Sequence, residues 1–197
     1  MAIKINTAPQ KSVDAFNQAM EWFAQNKKPA GKARALIAEH KGAQNTPHRI
    51  YNMQRDEIIA GKGLEAAKMA GWRYMFTDDE NHYHVAEVSG TDAGNEHHFS
   101  HFNEGSHVDN FMSAFSKLGQ ESYVKSKDYE MAILRVPACY VLAIWLKTGS
   151  HKDDILIPIE PVHEGFEAGK SYTAADFMTR LKTIATEMAK VKDRDEK

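Results

Sequence analysis

The sequence predicts an α+β fold, a single domain over residues 1–197 built on a small antiparallel sheet of about four strands. Three observations carry that expectation. The stretch from Tyr129 to Pro161 is strongly apolar, with no charge between Val136 and Leu146. Two segments, Trp72–Thr77 and His82–Val88, alternate with period two across a polar turn. Helical spacing of apolar residues dominates both ends of the chain.

The long apolar stretch reads as core. Tyr140, Leu142, Ile144 and Leu146 share one parity, and Cys139, Val141, Ala143 and Trp145 share the other. A strand apolar on both faces belongs inside a sheet covered on both sides. Pro137 cannot donate to a ladder, so a bend, a bulge or a break into two strands is expected there. Thr148–Asp153 reads as a hairpin turn into a strand over 155–159, and Pro158 places that strand at an edge on one side.

The first part of the chain, residues 1–71, reads as a helical layer. Ser12 is the expected cap of a helix carrying Val13, Phe16, Met20 and Phe23, with Trp22 off that face. A second helix is expected from about Ala30 to Gly42. Thr46 with Pro47 behind it resembles the start of a third, carrying Ile50, Met53 and Ile58. A short fourth is expected over 64–70, ending at Gly71.

Residues 72–161 are expected to hold the sheet with one inserted helix. If Thr77 pairs with His82 across Asp78–Asn81, then Trp72, Tyr74, Phe76, Tyr83 and Val85 share the core face. Arg73, Met75, Thr77, His82 and His84 then lie on the opposite, mixed face. The inserted helix starts at Ser106 with Asp109 in the capping-box position, carries Val108, Phe111, Met112, Phe115 and Leu118, and stops at Gly119. A C-terminal helix over 173–191 has Thr173 and Asp176 as its capping box, with Phe177, Leu181, Ile184 and Met188 on its buried face.

Composition narrows the function classes. At 42% hydrophobic and 26% charged residues the chain is globular rather than disordered. The net charge of -2 excludes a strongly basic nucleic-acid binder over the chain as a whole. The charge is nonetheless uneven: twelve basic residues up to Arg73 face six acidic ones. The single cysteine, Cys139, allows no internal disulfide, and within an apolar run its thiol is expected to be inert. No secretory signal or membrane-spanning stretch is visible, so a cytoplasmic protein is expected.

The chemical anomaly is histidine. Six of the ten fall between 82 and 107: His82, His84, His97, His98, His101 and His107. Two apart on a strand, His82 and His84 would stand roughly 6.6 Å apart on one face, within reach of a common metal ion. A third nitrogen from His97, His98 or His101 would complete a site for a divalent transition metal such as zinc. Glu96 or Glu104 could then act as general base on a metal-bound water in a hydrolase. No His-Glu-x-x-His, P-loop or nucleophile-elbow spacing accompanies the cluster. The function these observations favour is a non-catalytic binding or interaction domain, with an unknown protein or small-molecule partner. The metal-dependent hydrolase is the alternative, and nucleic-acid contact through the basic N-terminal helices is a second one.

Overall fold

In a computed structural model, the described residues are 3–4, 6–26, 46–77, 83–118, 120–122, 124 and 127–195. The elements run α1 (Gln10–Asn26), β1 (Thr46–Asn52), α2 (Arg55–Ile59), β2 (Lys68–Thr77), β3 (Tyr83–Ser89), β4 (His98–Glu104), α3 (Ser106–Leu118), β5 (Glu130–Val136), β6 (Val141–Lys147), β7 (Ile155–Pro158), β8 (Tyr172–Thr173) and α4 (Ala174–Asp195). The α+β class holds, but the small four-stranded antiparallel sheet does not. The sheet has eight strands in the order β4-β3-β2-β1-β5-β6-β7-β8 and is mixed, with one parallel pair.

One of the excess strands, β1, comes from a segment whose local signals point to helix. Thr46-Pro47 opens β1, not a helix. Pro47 is the second residue of β1, near the strand end where a missing ladder donor is tolerated, so the signal fits both structures. The burial decides: His48 and Ile50 are enclosed while Pro47, Arg49 and Tyr51 are half-buried, a period of two. Only the five residues of α2 are helical in that region. Residues 64–66 form a single tight turn, and β2 already begins at Lys68. Gly71 is therefore a strand residue and not a helix stop. A Cβ there would lie 2.3 Å from the Val88 carbonyl oxygen, so glycine is required by the close approach of β3. The helix expected over 30–42, the turn at 78–81 and the stop at Gly119 lie outside the described residues.

The chain divides into two compact units: the described residues within 5–49 and 70–113, and those within 1–4, 50–69 and 114–197.

In the first unit, β2, β3 and β4 form an antiparallel meander. Thr77 pairs with Tyr83, one residue later than the sequence suggests. That slip exchanges the faces of β3. Phe76 now stands opposite His84, Tyr74 opposite Ala86 and Trp72 opposite Val88, while Tyr83, Val85 and Glu87 join Arg73 and Met75. Helix α1 covers the aromatic face: Phe16 stacks on Tyr74 at 4.5 Å, and Phe23 meets Phe99 edge-on at 5.4 Å. Ser12 does not cap α1. The carbonyl of Pro9 accepts from the Ser12 and Val13 amides, and the buried Ser12 hydroxyl pairs with the Tyr74 hydroxyl at 2.8 Å. On the opposite face Phe111 of α3 lies 5.4 Å from the Arg73 guanidinium. Helix α3 begins with Ser106 as its first residue. Gly105 precedes it at φ 92°, and its carbonyl accepts from the Val108 and Asp109 amides.

The second unit holds the predicted core. Pro137 divides the long apolar run into β5 and β6, joined by a single turn over Pro137–Cys139. Leu134, Ala143, Trp145 and Leu156 pack with Phe177, Leu181 and Ile184 of α4 in one buried cluster. Ile133, Ile144 and Leu146 are equally buried, so the strands are covered on both faces. The edge expected for the strand carrying Pro158 is not found, since β7 lies between β6 and β8; β8 pairs only with Ile155 and Leu156, so no β8 ladder bond is asked of Pro158. Thr173 and Asp176 form the expected capping box: the Thr173 hydroxyl donates to the Asp176 carboxylate and accepts from its amide. No helix among the described residues is long and apolar enough to cross a membrane.

Candidate functional site

The histidine cluster lies in the first unit, and the structure disperses its members. His82 is outside the described residues. His84 is 3% exposed on the aromatic face, stacked on Phe102, with its Nδ1 3.6 Å from Glu104 Oε2. The register slip accounts for this placement. His98 is exposed and lies 3.6 Å from Glu96. His107 is exposed at the start of α3. His97 packs its ring over Gly90, and both its ring nitrogens are buried without a hydrogen-bond partner. Among the described residues no three His, Cys, Asp or Glu side chains come together in a way that could hold a metal ion.

His101 is different. Its Nε2 lies 3.3 Å from Glu87 Oε2, and its Nδ1 lies 3.1 Å from the hydroxyl of Ser100. Glu87 is 2% exposed, and its other oxygen, Oε1, accepts from Arg73 Nε at 2.8 Å and Nη2 at 2.5 Å. Arg73 is itself 7% exposed. Two guanidinium N–H groups converge on that one oxygen beneath Phe111 and balance the buried carboxylate, which could not be sustained as a lone buried charge. Each glutamate oxygen thus has its own partner.

A β-bulge builds the outer half of this chain of contacts. Val88 pairs with Phe99 and Glu87 with His101, so Ser100 is the extra residue in β4. In a regular strand adjacent side chains point to opposite faces. The bulge breaks that alternation and lets Ser100 and His101 meet. Neither Ser100 nor Arg73 stands out in the sequence as a site residue, because a bulge leaves no composition signal on this strand. The Arg73–Glu87 pairing depends on a register set by tertiary contact.

The second unit has its own polar centre, at Asp154. This fully buried carboxylate takes Trp145 Nε1 at 2.8 Å on one oxygen, and the Thr148 amide at 2.7 Å and hydroxyl at 2.9 Å on the other. His151 Nδ1 lies 2.9 Å from the first oxygen. With donors on both oxygens, Asp154 holds the 148–153 turn closed. Next to it Lys147 Nζ lies 4.1 Å from the Tyr51 ring centre and 4.7 Å from that of Trp145. Cys139 is buried, and burial pushes its thiol pKa up, against a smaller pull from Arg55, so it behaves as an apolar core residue.

Tyr140 stands apart from this enclosed core. It follows the fully buried Cys139, is 75% exposed, and adopts a left-handed backbone (φ 51°, ψ 39°). Its place in the apolar run suggests a strand residue. Its geometry is that of a turn residue displayed outward.

Compared with family models, curated proteins and solved structures, the chain matches none.

Proposed function

We propose that the chain is a binding or interaction module that meets a protein partner through the Tyr140 turn of the second unit. The observation behind this reading is an exposed aromatic residue in an unfavourable backbone. A left-handed conformation costs a residue with a Cβ roughly 1–2 kcal/mol, and glycine or asparagine would occupy it more cheaply. Tyr140 recovers little of that cost by burial, since three-quarters of it faces outward. Strain in a residue that does not support the core is typical of positions kept for contact, and tyrosine is a favoured anchor of protein interfaces.

The test places a photo-crosslinking phenylalanine analogue at position 140 in cells, and in parallel compares wild type with Tyr140→Gly, neither carrying the analogue, in a pull-down of the protein so captured. One dominant adduct is expected, and that protein should be retained by wild type and lost from Tyr140→Gly, while that variant melts at the same temperature or higher because glycine relieves the strain. A large drop in melting temperature would assign Tyr140 to the fold instead, and diffuse crosslinking to many proteins would end the reading.

A further inference from the structure

We infer that Ser100 in the first unit is a nucleophile for acyl transfer, with His101 as its general base and Glu87 as the positioning residue behind the imidazole. The contacts run in one line: Ser100 Oγ to His101 Nδ1 at 3.1 Å, His101 Nε2 to Glu87 Oε2 at 3.3 Å, and Glu87 Oε1 to the Arg73 guanidinium. A nucleophile within hydrogen-bond reach of a base, itself oriented by a third group, is the arrangement that activates a hydroxyl.

The chemistry of each contact fits its role. Glu87, held as a carboxylate partner by Arg73, lies 3.3 Å from His101 Nε2. A carboxylate at that nitrogen favours the tautomer protonated there, whose Nδ1 lone pair faces the serine hydroxyl. Burial of Glu87 and Arg73 under Phe111 keeps the pair rigid and out of water, where its dipole acts at lower dielectric. The outer members are accessible: Ser100 is exposed and the His101 side chain is 40% exposed. The bulge that joins them sits on the terminal strand of the sheet, the kind of position where bulges re-aim side chains beside reactive sites.

The substrate class is a carboxylic ester. Ser100 Oγ forms a bond to the carbonyl carbon as its proton passes to His101 Nδ1. The carbon–oxygen bond to the alcohol breaks, and the alcohol leaves with that proton. Water then gives a proton to the same nitrogen, attacks the acyl carbon, and releases the acid as Ser100 Oγ takes its proton back. Water is the only co-reactant, and no oxidation state changes.

Two probes test this on the full chain. An alkyl fluorophosphonate should form a phosphorus–oxygen bond at Ser100 with loss of fluoride, located by peptide mass spectrometry. The adduct should vanish in Ser100→Ala and form at least about a hundredfold more slowly in His101→Gln, the scale of general-base assistance. Both positions are exposed enough that the variants should match wild type by circular dichroism. With p-nitrophenyl acetate, wild type should show a burst of p-nitrophenolate. Glu87→Gln should slow the first-order rate of that burst at unchanged amplitude, whereas loss of folded protein would lower the amplitude and leave the rate unchanged. No adduct at Ser100, or an adduct that forms equally fast in His101→Gln, overturns the assignment, even if Glu87→Gln fails to fold.

Discussion

Tyr74 shows how one buried hydroxyl ties packing to pH. Its ring stacks on Phe16, its hydroxyl pairs with Ser12, and it is 2% exposed. Burial pushes its pKa up to about 12, with the Ser12 hydrogen bond pulling the other way. The unfolded chain ionises this tyrosine near the ordinary value of about 10. Below that pH both states hold a neutral phenol and the residue gives no pH dependence. Between about 10 and about 12 the unfolded state alone is ionised, so stability should fall as pH rises through that window. Tyr74→Phe should remove this alkaline slope and cost about 1 kcal/mol at neutral pH for the lost Ser12 bond. Urea titrations at a series of alkaline pH values would check it; an unchanged slope would mean another group is responsible. Ser12 itself is legible in the sequence as a polar residue at a helix start, and its role is not. Both a cap and a buried partner want a small hydroxyl near the first turn.

At the scale of elements, the pairing of β2 with β3 decides most of the first unit. A hairpin whose turn is one residue longer than its strand pattern suggests carries a different set of side chains to the core. Both candidate registers bury aromatic residues from β2. They differ on β3, where one turns Tyr83 and Val85 to the face that α1 covers and the other His84, Ala86 and Val88, with Val85 buried on the opposite face all the same. The flat hydrophobic difference between those sets leaves the register to α1 and to the Arg73–Glu87 pair, neither of which the local pattern contains. Gly71 depends on the same pairing. A methyl group there meets the Val88 carbonyl oxygen at 2.3 Å and Ser89 Cα at 3.1 Å, all backbone atoms that cannot swing aside. Gly71→Ala should therefore cost about 2 kcal/mol or more, read as a lowered urea midpoint. If Gly71 ended a helix in the left-handed conformation, as the sequence suggests, alanine would cost only about 1 kcal/mol. By contrast the capping box of α4 and the division of the core run at Pro137 follow the sequence closely. Each is a local rule acting within a few residues.

For the whole molecule, the candidate contact residue and the candidate reactive serine fall in different compact units. Tyr140→Gly should leave fluorophosphonate labelling of Ser100 at its wild-type rate, and Ser100→Ala should leave the Tyr140 crosslink intact. Independent sites add, so a change in either readout would reveal coupling between them. The same scale separates what is readable early from what is not. The α+β class, the doubly buried strands around Cys139 and Trp145, and the helices α1, α3 and α4 all follow from period, proline and capping chemistry in the sequence alone. The number of strands, the conversion of the Thr46–Asn52 segment and of residues 68–71 from helix to sheet, the burial of His84, and the meeting of Ser100, His101, Glu87 and Arg73 belong to the tertiary structure. The physical reason is the range of the forces. Helix starts and turns are decided by hydrogen bonds within one turn of chain. A sheet register and a bulge are decided by backbone partners far away in sequence, which only the folded chain brings together.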